Sequence, residues 1–433
     1  MYENNWESLN KRKVPEWFGK AKFGIFIHWG LYSIPAYAPK GQYAEWYGHS
    51  CHTPENKEEP FKEFYYQHHK KHYDLMPYYD FKEQFTGHRF DADKWATLFK
   101  RSGAKYINIV SKHHDGFCLY DSSFAGDLTT VRGAAKRDFL MELKNAMEGT
   151  GVRFGVYHSI YEWWHPLYLE DPEKFAVEHL HPMMKELIEK YQPNTLFTDG
   201  EWEFDSSVWH STEFLAWLYN ESSVKDFIVP NDRWGKETRG KVGGNFTTEY
   251  GCLNYGEKVD DAIFDRPFEE CRGIGCSFGI NKEEGCEDYL SVKELLKILC
   301  SLVSKGGNLL LNIGPDADGS IPPIMEERLL GMGKWLETNG EAIYDSQVYC
   351  KKSPDGIYYT KNGDTVYAIT ETFPSKPTVF NEIEFSGGLK VSLLGSNAKV
   401  FLTNENGKIC LKADICSPDE TKSEHLYVYK ITK

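Results

Sequence analysis

Eight short apolar runs recur along the chain, and each finishes in a polar or charged residue. They are Phe23–Ile27 before His28, Tyr106–Val110 before His113 and His114, Phe154–Val156 before Tyr157, and Thr195–Thr198 before Asp199. Phe227–Pro230 precedes Asp232 and Arg233, Phe246–Thr248 precedes Glu249, a weaker run near Cys271–Ile274 precedes Phe278, and Leu309–Leu311 precedes Asn312. A strand buried on both faces reads as such a continuous run. Between the runs the spacing predicts helices at Asp91–Ser102, Phe139–Met147, Lys185–Tyr191, Ser291–Ser304 and Met325–Glu337, with a short one near Trp17. Strands alternating with helices predict parallel β/α units. The expected fold is α/β, a (β/α)8-type barrel with room for distortion, whose chemistry sits where the strands end.

The pattern changes after Ala342. Short alternating segments follow at Gly356–Tyr359, Val366–Thr370, Val391–Leu394, Lys399–Leu402 and Leu426–Ile431, punctuated by the turn pairs Asn362-Gly363 and Asn406-Gly407. They predict a small C-terminal antiparallel β-sandwich over 345–433, after a catalytic barrel over 1–344. The charged, His-rich stretch Cys51–Tyr73 reads as a loop insertion, with His68, His69 and His72 on a solvated helix face rather than around a metal.

Composition narrows the function classes. With 433 residues the chain exceeds one ordinary domain, and a net charge of -14 argues against nucleic acid as a partner. Aromatic residues make up 15%, with 12 Trp, which suits rings stacked on the C–H faces of a sugar as well as it suits a large barrel core. The ten Cys show no C-x-x-C pair, and Cys271, Cys276 and Cys286 share no His at metal spacing, so buried thiols in a reduced compartment are expected. Met1–Lys13 is polar and no run of 18 apolar residues occurs, so neither a signal peptide nor a membrane partner is expected. With Met1 as the start, the protein is expected to be cytoplasmic.

Two carboxylates on facing strand ends are the minimal equipment of a glycoside hydrolase: one attacks or stabilises the anomeric carbon, and the other protonates the leaving oxygen. Asp199 and Glu249 fit that description. Taken alone, an Asp at a strand end is as readily a turn cap, and a Glu is usually solvated. Arg233 can hold an anion and keep a neighbouring Asp ionised, or else pair at the surface with Asp232. His28, His113 and His114 offer donors and acceptors for hydroxyls. Adjacent residues of a strand face opposite ways, so His113 and His114 are not expected to share one ion. Asp115 is a candidate to orient His114.

Longer strings carry a resemblance. The segments are WFGKAKFGIFIHWGLYSIPAY (17–37), EWY (45–47), KHHDGF (112–117), FGVYHS (154–159), LFTDGEW (196–202), NDRWG (231–235), TTEYG (247–251) and RGIGCSFGIN (272–281). VSKGGNLLLNIGPDADGSI (303–321) and WLETNGEAIY (335–344) follow. On these the chain resembles the α-L-fucosidases of glycoside hydrolase family 29 over nearly its full length. The resemblance implies a retaining exo-glycosidase with a covalent intermediate on Asp199. Glu249 is implied as the acid/base of the broad-specificity subfamily, with Glu269 and Glu257 as fallbacks. His28, Glu45, Trp46, His113, His114, Tyr157 and Arg233 are implied to bind the hydroxyls, and Phe278 and Trp46 to face the C6 methyl. Phe197 departs from the family, where Trp is common.

The resulting expectation is an α-L-fucosidase acting on fucosylated glycans, without metal or organic cofactor and with Glu249 carrying a raised pKa. Two alternatives remain: a retaining glycosidase for another sugar, such as a galactoside, or a catalytically silent fucose-binding barrel. Oligomeric state is left open, a homo-oligomer included.

Overall fold

The computed structural model describes residues 1–52, 59–242, 244–251, 266–351 and 356–433. Eight parallel strands form a curled sheet: β1 Phe23–Ile27, β2 Tyr106–Lys112, β3 Val156–Ser159, β4 Thr195–Asp199, β5 Val229–Pro230, β6 Phe246–Glu249, β7 Phe268–Gly273 and β8 Asn308–Ile313. Their order is β5-β4-β3-β2-β1-β8-β7-β6, so β5 and β6 face each other across a seam. Among the described residues a single parallel bridge, Asn231 to Asn245, joins the two sides there. Pro230 has no amide hydrogen to donate across the seam, and its carbonyl accepts from Asn245 N there. The barrel is thus present, and distorted at one place.

Side chains alternate across each strand. Phe26, Tyr157, Phe197, Cys271 and Leu310 point inward and pack as one inner cluster. Ile25, Ile27, Leu196, Leu309 and Leu311 belong instead to the larger core shared with the helices. The inward row on each strand therefore climbs towards the C-terminal end: Phe26 to His28, Phe197 to Asp199, Thr247 to Glu249. At the opposite end the ring of Tyr106 fills the space over Gly24, where a Cβ would meet it at 2.5 Å.

The helices follow local signals. Ala92–Arg101 begins on Asp91, whose carboxylate accepts from Lys94 N, and Phe139–Met147 begins likewise on Asp138. Val292–Ser304 opens with a reciprocal Ser291–Glu294 capping box. Pro323–Asn339 completes the run of helices predicted from spacing. Ser211–Asn220 was not anticipated; its sequence, STEFLAWLYN, lacks a distinct polar face.

The stretch read as a loop insertion departs from expectation. Residues 53–58 lie outside the described residues, but Lys62–Tyr73 is a helix. Of its three histidines only His72 is exposed. His69 is buried and hydrogen-bonds Met76 O, both His68 and His69 contact the Tyr47 hydroxyl, and His68 stacks on Tyr37 with centroids 3.8 Å apart. Aromatic packing against the barrel, rather than water, covers this face.

Beyond Gln347 two antiparallel sheets pack face to face. One runs β13-β16-β11-β10-β9 and the other β12-β15-β14, with β9 Gln347–Val348, β10 Tyr358–Asn362, β11 Thr365–Thr370, β12 Thr378–Glu384, β13 Lys390–Leu393, β14 Val400–Glu405, β15 Lys408–Ala413 and β16 Tyr427–Thr432. Tyr359, Ala368 and Tyr429 from the first sheet meet Phe380, Ile409 and Leu411 from the second. Trp335 donates to Leu426 O, and Lys430 pairs with Glu341, tying the sandwich to the barrel's last helix and its end. Among the described residues no helix is long and apolar enough to cross a membrane.

Candidate active site

The C-terminal mouth of the barrel encloses a cavity of about 200 Å³. All ten residues singled out in the sequence line it: Asp199, Glu249, His28, Glu45, Trp46, His113, His114, Tyr157, Arg233 and Phe278. A space of that size suits one sugar ring.

Asp199 ends β4, and Gly200 follows with φ +86°; a Cβ there would meet Tyr161 Cβ at 2.3 Å. Both carboxylate oxygens of Asp199 are held. Oδ1 accepts from Arg233 Nη1 at 2.5 Å, and Oδ2 accepts from the Tyr157 hydroxyl at 3.0 Å. The second amino group of Arg233, Nη2, lies 3.5 Å from Glu249 Oε2, so one guanidinium spans both carboxylates. Arg233 is fixed in turn by Thr247 Oγ1, which accepts from its Nε, and by the Phe197 ring 4.9 Å below. Asp232 is not its partner: that carboxylate accepts from Thr247 N, Thr247 Oγ1 and Gly240 N. The surface-pair reading of Arg233 is thereby excluded.

Glu249 sits at the rim. The Tyr43 hydroxyl is 3.5 Å from its Oε1. Burial raises its pKa, the nearby Asp199 charge adds to the rise, and Arg233 opposes it. Glu45 is buried deeper, its Oε2 accepting from Gly279 N at 2.8 Å and Ser277 Oγ at 3.3 Å, and desolvation pushes its pKa up to about 8.

The histidines are neutral, and their tautomers follow from their partners. Asn312 donates to Phe278 O, which turns its Oδ1 to His28 Nδ1 at 2.7 Å; Nδ1 carries the hydrogen and Nε2 is an acceptor. Burial lowers the pKa of His28 to about 4. Ser159 Oγ donates to Tyr161 O, so His114 Nδ1 donates to that oxygen at 2.6 Å and its Nε2 is also an acceptor. This Nε2 stands 3.8 Å from Asp199 Oδ2. Two acceptors facing each other invite a hydroxyl hydrogen between them. Ser159, not Asp115, orients His114; Asp115 accepts from Tyr78 and from Phe117 N.

His113 and His114 face the same cavity, contrary to the alternation argument. β2 ends at Lys112, so both lie in the turn beyond it, with ring centroids 4.1 Å apart. Trp46 packs with His114, Trp163 and Trp202, whereas Phe278 packs with His28, Phe26, Tyr43 and Tyr250.

Of the fallback carboxylates, Glu269 accepts from Tyr106 and does not line the cavity; burial pushes its pKa up to about 7. Glu257 lies outside the described residues. The cavity also includes Tyr43, Trp202, Arg239 and Cys271, to which no site role was given from sequence. Trp202 lies inside a quoted motif and Tyr43 two positions before another. Arg239 comes from a loop with no periodic signal. The described cysteines are all free thiols, Cys271 buried against Arg233 and Cys286 exposed.

Comparison with known proteins gives the family. The family model for alpha-L-fucosidase matches residues 1–341. The chain is 40% identical over 410 residues to the plasma alpha-L-fucosidase of Rattus norvegicus, covering 91% of this chain and 86% of that one. It is 35% identical over 450 residues to the alpha-L-fucosidase of Dictyostelium discoideum, covering 100% and 95%. The crystal structure of Thermotoga maritima alpha-fucosidase with a mechanism-based inhibitor superposes with a TM-score of 0.83 at 33% identity, covering 100% of both chains. The chain therefore belongs to the α-L-fucosidase family and is a glycoside hydrolase that releases fucose.

Proposed function

We propose that the protein is a retaining exo-α-L-fucosidase that works through a covalent fucosyl-Asp199 intermediate, with Glu249 as the general acid/base. The observation that carries this reading is the single guanidinium of Arg233 touching both carboxylates at the mouth of one small cavity. In the first step an Asp199 oxygen attacks the anomeric carbon while Glu249 gives its proton to the departing glycosidic oxygen. In the second, Glu249 takes a proton from water, which attacks the same carbon and frees Asp199. The raised pKa of Glu249 suits an acid that must hold a proton near neutrality.

His28 and His114, each presenting an acceptor nitrogen, would take hydroxyl hydrogens of the sugar. Trp46 and Phe278 would supply the apolar surface for its methyl group. A fucosylated oligosaccharide or glycoconjugate is the substrate class, with the rest of the glycan projecting past the rim at Glu249. The test is the configuration of the first product. Proton NMR of a fresh reaction should show α-fucose appearing before mutarotation, and β-fucose as the first product would reject the double displacement.

A further inference from the structure

Behind the cavity wall lies a second group of polar side chains that the glycosidase chemistry does not use. Glu162 and His165 stand on the loop after β3, and His179 stands on the helical segment that follows. One donor atom from each of the three lies within 4.8 Å of the others. Glu162 is buried, and its Oε2 has no hydrogen-bond partner; nor do His165 Nδ1 and His179 Nε2. His179 Nε2 is 3.6 Å from Glu162 Oε2, too long for a hydrogen bond. Two ligands of one small ion, each about 2 Å from it, are held apart by just such a gap.

The backbone supports the convergence. His179 lies in a π-helical turn, Ala176–Leu180, which shifts the register and brings its ring to 4.2 Å from that of His165. On the other side Gly116 has φ +80°, and a Cβ there would meet Glu162 Oε1 at 2.6 Å, so the glycine makes room for the carboxylate. Buried polar groups left unpaired are costly, and several converging on one spot call for a bridging species.

We infer that Glu162, His165 and His179 form a binding site for a divalent transition cation of the zinc type. Two imidazoles and one carboxylate leave a fourth position for water, and nitrogen donors select zinc or cobalt over calcium or magnesium. Lys112, fully buried with Nζ 3.7 Å from Glu162 Oε2, is the internal competitor that balances the carboxylate when no ion is bound. The ion would stiffen the loop whose Trp163 donates its backbone N–H to His114 O and packs its ring on Trp46, which places the site directly behind the sugar wall.

The test uses the whole protein after chelator treatment and dialysis. Titration with Co2+ should give one equivalent with d–d bands of a four- or five-coordinate ion, and Zn2+ should displace it and raise Tm. His179→Gln and Glu162→Gln should each weaken binding by at least roughly a hundredfold. His72→Gln, on the exposed insertion helix, should leave it unchanged. Lys112→Met should tighten it. Absence of a stoichiometric site in the unaltered protein overturns the inference, as does binding that survives in both His179→Gln and Glu162→Gln, or weaker binding in Lys112→Met.

Discussion

The ends of β4 and β6 each deliver a carboxylate to the same cavity, but they hold it differently. Asp199 is 13% exposed, and both its oxygens are gripped, at 2.5 Å and 3.0 Å. Glu249 is 31% exposed, and its contacts with Tyr43 and Arg233 are both 3.5 Å long. Between them Arg233 is fixed from below and reaches both. A group that must meet one carbon along one line gains from being locked, because misplacement costs rate steeply. A group that must first give a proton to one oxygen and then take one from another gains from slack. The contrast between grip and slack fits the roles proposed for the two carboxylates.

Substitutions can break that contrast. Replacing Asp199 with Gly should remove the largest share of activity, on the order of 10⁴-fold in kcat even with an aryl fucoside, while the fold survives. Near-normal turnover would take Asp199 out of the mechanism. Glu249→Ala should cost about 10²–10⁴-fold with slow-leaving natural disaccharides, and far less with activated aryl fucosides. Azide should restore turnover in it, giving α-fucosyl azide; normal cleavage of disaccharides would move the acid/base elsewhere.

The tyrosines sharpen the same comparison. Tyr157→Phe removes a hydrogen bond to a charged oxygen and should lower kcat/KM by about 10–100-fold. Tyr43→Phe, at the loose end, should change it by less than about threefold; equal losses in the two variants would erase the distinction. The alkaline limb of kcat/KM should follow Glu249: activity falls as pH rises through its raised pKa, and Glu249→Gln should lose that limb.

The smallest expected effect is on stability at Glu45. A carboxyl with a folded pKa of about 8 favours the folded state below its unfolded value, and that contribution drains away as pH rises through 8. Glu45→Gln should therefore flatten the fall in Tm between pH 5 and 8. An unchanged slope would show that Glu45 does not control it.

Much of this was legible because a buried parallel strand writes itself as an apolar run with a stop. β4 and β8 are of this kind, and Asp199 and Asn312 are their stops. β7 was faint because Glu269, Glu270 and Arg272 interrupt it; the structure pairs Glu269 with Tyr106 and Glu270 with Arg272. Tyr43 and Arg239 reach the cavity from loops, where no period exists to mark them. The convergence of His113 and His114 was misjudged by one strand boundary: the rule of alternation is sound, but it stops at Lys112. His69 shows a different limit, since charged neighbours on its helix hide an aromatic seam that only tertiary packing reveals.

At the seam between β5 and β6, side chains stand in for the missing ladder. Asp232 accepts from both the amide and the hydroxyl of Thr247, and that hydroxyl oxygen accepts in turn from Arg233 Nε. The spacing of the two carboxylates is therefore set by a stitch of side chains and not by main-chain registry alone. Asp232→Asn offers a lever on that spacing that touches neither Asp199 nor Glu249.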